Sequence, residues 1–69
     1  MVNNMETYMI LYRESGEHLI DPWGYKVLAE DLDHAEEQFE NANPGCEILW
    51  LEVTDDYDTA LENYYTGGM

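Results

Sequence analysis

Residues 39–53, FENANPGCEILWLEV, change periodicity halfway, and that change sets the fold. Upstream and into this stretch, Leu32, Ala35, Phe39 and Ala42 recur at helical spacing, so one face of a helix is apolar. Asn43-Pro44-Gly45 ends that helix, because a proline pushes its predecessor out of helical geometry. Cys46-Glu47-Ile48-Leu49-Trp50-Leu51-Glu52-Val53 then reads as a strand. A two-residue period places Leu49, Leu51 and Val53 on one face of it and Ile48 and Trp50 on the other.

Working outward, Tyr8-Met9-Ile10-Leu11-Tyr12-Arg13 predicts a first strand, with Tyr8, Ile10 and Tyr12 opposing Met9 and Leu11. Ser15-Gly16 breaks it and suits a hairpin. Asp21-Pro22-Trp23-Gly24 has the composition of a type I turn and is expected to bend or bulge the returning segment. Residues 25–29, YKVLA, predict a second strand. Asp31 or Asp33 is placed to cap the helix. After the third strand, residues 56–65 predict a short second helix with Tyr57, Leu61 and Tyr64 aligned. Residues 1–6 and 66–69 are expected to fray, and Met5 could serve as an alternative start. The expected fold is a single α+β domain of order β-β-α-β with a terminal helix. Its three-stranded antiparallel sheet carries the main helix on one face. The second face is apolar as well, and the second helix is expected to cover it rather than a partner.

Composition narrows the function. Sixty-nine residues lie near the lower limit for folding without a staple, and Cys46, the one cysteine, allows no disulfide within the chain. Cys46 is therefore read as a packed residue in a reducing compartment. No basic-then-apolar segment opens the sequence, and the strictly apolar runs MIL and ILWL are too short to cross a bilayer. A soluble, cytoplasmic protein is expected. Sixteen Asp and Glu stand against Arg13 and Lys26, giving a net charge of −14. A disordered acidic tail is excluded by the 45% hydrophobic and 13% aromatic content. Solubility in a small domain requires a charge of only about 2 to 8 in magnitude, so the excess calls for another reason.

The acids are patterned. Asp33, Glu36, Glu37 and Glu40 fall at i, i+3, i+4 and i+7 on the helix, away from Leu32 and Phe39. Asp55, Asp58 and Glu62 repeat the arrangement around the second helix. Helix-dipole stabilisation explains Asp31, Asp33 and Asp55, but Glu40 and Glu62 lie near the unfavourable C-terminal ends. A solvated face is the plain reading of such a stripe. The functional reading is a decoy: duplex DNA carries one negative charge per about 1.7 Å of axis, and carboxylates spaced about 5 Å apart can occupy the same basic cleft. Direct nucleic-acid binding is not expected, since both partners would be anionic. Trp23, in the predicted turn, is the candidate apolar anchor.

No catalytic constellation accompanies these acids. His18 and His34 have no partners that make a site, and a Cys46–His dyad lacks an orienting third group. Asp55-Asp56-Tyr57-Asp58 lacks the Gly and closing Glu of an EF-hand loop. No enzyme, cofactor or specific metal site is expected.

At Ser15-Gly16-Glu17-His18, at Ala29-Glu30-Asp31-Leu32-Asp33-His34-Ala35 and at Pro44-Gly45-Cys46-Glu47-Ile48, the chain resembles the small RNA polymerase inhibitors that lytic podophages make to silence host transcription. The resemblance covers about residues 8–53. It implies the same β-β-α-β order and a partner role: binding in or near the polymerase's DNA channel. Asp21-Pro22-Trp23-Gly24 looks like an insertion relative to that family. Where the family carries functional arginines on its last strand, this chain has Trp50 and Glu52. If the role is shared, those two residues join the acids as partner-binding candidates. The alternatives are a decoy for a restriction, CRISPR or nuclease protein, or an acidic adaptor that could form a homodimer.

Overall fold

A computed structural model describes residues 5–16, 18 and 21–67; the fraying expected for residues 1–4 and 68–69 lies outside them, as does Glu17 of the hairpin. Three strands and two helices follow one another as β1 (Glu6–Glu14), β2 (Trp23–Ala29), α1 (Leu32–Ala42), β3 (Cys46–Val53) and α2 (Tyr57–Thr66). The sheet order is β2-β1-β3, antiparallel throughout. β2 and β3 therefore run parallel to each other on either side of β1, and α1 is the crossover between them.

β1 occupies the centre because it is apolar on both faces. Tyr8, Met9, Ile10 and Leu11 are consecutive and all buried, so both sides of this strand must be covered. α1 covers one side. Its Phe39 is fully buried and meets Tyr12 and Tyr25 edge-on, with ring centroids 4.9 and 5.5 Å away, a favoured aromatic geometry. Ala35 packs with Tyr8 and Ala29, flanked by Val27 and Leu51. α2 covers the other side, where Ala60 packs with Met9 and Leu11 beside Trp50, Tyr57, Leu61 and Tyr64. The α+β architecture and element order are those expected from the sequence.

Caps fix the helix ends. Asp31 accepts the His34 backbone N–H at 2.8 Å, and Asp56 accepts both the backbone N–H and the hydroxyl of Thr59. Each satisfies an orphan donor of the first turn. Gly67, in the left-handed region at φ 75°, closes α2.

Several details depart from expectation. β1 begins at Glu6 and ends at Glu14, while Thr66 is still helical, so the ordered elements reach beyond the anticipated limits. Trp23 and Gly24 are strand residues paired with Tyr12 and Leu11, not the end of a turn. Leu32 and Ala42 are exposed; only Ala35 and Phe39 of the expected stripe are buried. On β3, Leu11 pairs with Trp50 but Tyr12 pairs with Ile48. Leu49 is thus an extra residue in a bulge, which resets the alternation. Ile48 joins Leu51 and Val53 on the α1 side instead of sharing a face with Trp50.

Gly24 shows why β2 can open beside α2. A Cβ there would lie 2.6 Å from Tyr57 Cδ1 and 3.4 Å from the Met9 sulfur. The Tyr57 ring is tethered, since its hydroxyl donates to the Pro22 carbonyl at 2.5 Å. Gly24→Ala is expected to cost about 1–3 kcal/mol by overpacking. In combination with Tyr57→Ala the added cost of the methyl should largely vanish. Additive losses in chemical denaturation would show that the ring does not impose the glycine.

Candidate functional site: the acidic helix faces

The stripe on α1 is built as the spacing requires. Asp33, Glu36, Glu37 and Glu40 are all exposed and, with His34, line one shallow open depression. Phe39 and Ala35 hold the opposite side of the helix on the sheet, so the acids face outward on a rigid support. Like charges three and four residues apart lie about 5–6 Å apart and disfavour the helix. No basic residue occupies its last turn.

Neither base of the chain offsets this row. Arg13 donates from Nε to Glu47 Oε1 at 3.1 Å, across β1 and β3. Lys26 lies on the other side of the sheet, near enough to Asp56 that its charge helps to lower that carboxyl's pKa. His34 Nδ1 is 3.9 Å from Glu30 Oε1, a contact that is ionic only when the imidazole is protonated. The same nitrogen accepts the Glu30 backbone N–H at 3.4 Å.

Asp55, Asp58 and Glu62 are also exposed, Asp55 just ahead of α2 and the other two on it. The sheet separates them from the α1 row, so the acids form two outer faces and not one patch. Trp23 is 53% exposed. It lies at the end of β2 on the α1 side, opposite the same Tyr12 that packs on Phe39. Trp50 and Glu52 have different surroundings. Trp50 is half-buried against Tyr64 and donates from Nε1 to Glu52 Oε1 at 2.8 Å. Glu52 Oε2 accepts from Asn63 at 2.6 Å. These two candidates are engaged in holding α2 to β3.

One linkage was not legible in the sequence. Tyr57 and Tyr65 of α2 reach the segment before β2, donating to the Pro22 carbonyl and the Asp21 carboxylate respectively. They act as a clasp between the chain's last helix and its hairpin. No local pattern marks a contact between residues this far apart in sequence. Among the described residues, no cluster of His, Cys, Asp and Glu is placed to hold a metal ion. Cys46 is a half-buried free thiol. No helix among those residues is long and apolar enough to cross a membrane. No family model, curated protein or solved structure matches the chain.

The charge pattern has measurable consequences. Raising salt from low to moderate concentration is expected to raise the melting temperature, because screening relieves repulsion within each face. Mild acidification should do the same at first. Asp56 sets a limit: the Thr59 hydroxyl holds its carboxyl below the usual value of 3.8, against an opposing effect of burial. Its contribution is therefore present above that value and disappears as pH falls through the lower, folded-state pKa. A melting temperature independent of salt would show that the acids are too dispersed to repel.

The clasp titrates at the other extreme. The Asp21 carboxylate, accepting a hydrogen bond from Tyr65, pushes that phenol from 10.0 up to about 12, with burial adding to the shift. A raised folded-state pKa means stability that is complete below the unfolded value and lost as pH rises from about 10 toward 12. Tyr65→Phe should remove a phenol that titrates near about 12 from a tyrosinate absorbance titration. An unchanged upper limb would show that the contact is not formed.

Proposed function

We propose that the protein is an acidic inhibitor that occupies a basic nucleic-acid channel in a host machine and excludes the nucleic acid. One observation carries this reading: the α1 row of Asp33, Glu36, Glu37 and Glu40 is exposed, rigidly backed and uncompensated by either base. Asp33 gains from its place in the first turn, but Glu36, Glu37 and Glu40 bring the fold mainly repulsion, so the benefit of the row lies elsewhere. Asp55, Asp58 and Glu62 present a second acidic face across the sheet, which supports an occupant of a two-walled channel over one of a flat patch. Opposite charge on the target would make association fast and salt-sensitive. Trp23 supplies an apolar anchor beside the α1 face.

Bacterial RNA polymerase is the first choice of target, and the protein would act in the host cytoplasm as a phage-type inhibitor of transcription. That choice rests on the resemblance of residues 8–53 to the podophage inhibitors. The arginines of that family are absent here, and Trp50 and Glu52 at those positions are occupied with α2. Docking would therefore use the helical acids and Trp23. A restriction, CRISPR or nuclease protein offers the same basic chemistry and is the alternative target.

Capture from host lysate at two salt concentrations, followed by promoter-complex assays with purified polymerase, tests the target. For the site, converting Asp33, Glu36, Glu37 and Glu40 to Asn or Gln is expected to preserve or raise the melting temperature. It should weaken partner binding by about tenfold or more, or about 1.4 kcal/mol, and flatten its salt dependence. Trp23→Ala should weaken binding with the salt slope unchanged. Unaltered affinity of the quadruple variant in calorimetry would reduce the row to a solvated face.

A further inference from the structure

An indole and a phenol, two of the side chains most easily oxidised by one electron, each donate a hydrogen bond to a carboxylate on the α2 side of the molecule. Trp50 donates from Nε1 to Glu52 Oε1 at 2.8 Å, and Asn63 holds the other oxygen of that carboxylate at 2.6 Å. Tyr65 donates its hydroxyl to Asp21 Oδ1. Tyr64 lies between them, its ring centroid 6.3 Å from that of Trp50 and 5.4 Å from that of Tyr65. Three rings thus form a line from the half-buried Trp50 on β3 to the exposed Tyr65 on α2, with a proton acceptor at each end.

We propose that this line is a one-electron relay, in which a strong one-electron oxidant that attacks Trp50 is answered by an electron from Tyr65. The oxidant takes one electron from the indole and is reduced, and the Nε1 proton passes to Glu52. An electron then crosses the Tyr64 ring from Tyr65 to Trp50, and Glu52 returns the proton to the indole. At the same time the phenolic proton of Tyr65 passes to Asp21. Trp50 and Glu52 end unchanged, Tyr65 is a neutral phenoxyl radical, and Asp21 carries its proton. A soluble one-electron reductant and the proton on Asp21 then restore the phenol.

The proton acceptors select the route. A phenol that loses an electron becomes strongly acidic, so a base within hydrogen-bond reach lets proton and electron leave together. Tyr57 also packs on the sheet face beside Trp50, but its hydroxyl donates to the Pro22 backbone carbonyl, which is too weak a base for this task. Asp21 therefore makes Tyr65, and not Tyr57, the terminus. The benefit falls on the joint between β3 and α2. Trp50 and Glu52 hold that joint through Tyr64 and Asn63, and a radical left on the indole would be open to irreversible ring oxidation there. A radical on Tyr65 sits at the surface, where a reductant reaches it.

Pulse radiolysis with azidyl radicals tests the relay in the Trp23→Phe chain, where Trp50 is the one indole. Indolyl absorption should decay as phenoxyl absorption rises, at a first-order rate independent of protein concentration. In that background Asp21→Asn, which keeps an acceptor oxygen but removes the base, should slow the transfer by about a hundredfold or more. Tyr65→Phe should slow it comparably, whereas Tyr57→Phe should leave it unchanged. Asp21 and Tyr65 are both exposed, so these changes leave the core intact. An indolyl radical that decays without matching phenoxyl growth overturns the proposal before any further variant is made. So does a transfer rate that Asp21→Asn or Tyr65→Phe does not alter, which would leave the two hydrogen bonds as structural ties alone.

Discussion

Four consecutive buried side chains in β1, Tyr8 to Leu11, are the constraint on which the rest of the structure depends. A strand apolar on both faces cannot lie against solvent on either side. A chain of 69 residues must therefore cover two sheet faces with two short helices. It does so by placing alanine where each helix touches the sheet, Ala35 on one side and Ala60 on the other, both fully buried. Small contacts let the helices approach closely, and the larger rings (Phe39 below Tyr12 and Tyr25, Trp50 beside Tyr64) fill the flanks. With each helix's apolar side committed to the sheet, the helix acids fall on the outer faces.

That segregation makes the charge tolerable. The α1 and α2 acids are separated by the whole sheet, so each face repels chiefly within itself. Four acids serve the fold through hydrogen bonds: Asp31 and Asp56 cap helices, Asp21 receives Tyr65, and Glu52 receives two donors. Asp33, Glu36, Glu37 and Glu40 of α1 and Asp58 and Glu62 of α2 lie on the helices' solvent sides, where self-repulsion is screened best. These bonded acids lie apart from the row on α1, which is built of carboxylates with no such role.

Much of this was legible in the sequence because local signals agreed. The helical period of Ala35 and Phe39, the stop at Asn43-Pro44-Gly45 and the density of Cys46–Val53 fixed α1 and β3, and with them the acid row on α1. Legibility ended where one residue's placement depended on a distant partner. The Leu49 bulge exists only through pairing with β1, and it moved Ile48 to the other face. Asp21-Pro22-Trp23-Gly24 has turn composition, yet pairing with Tyr12 and Leu11 draws Trp23 and Gly24 into a strand. There the glycine serves the Tyr57 ring instead of a turn. Leu32 begins the helix in phase with Ala35 and Phe39, yet it stays exposed.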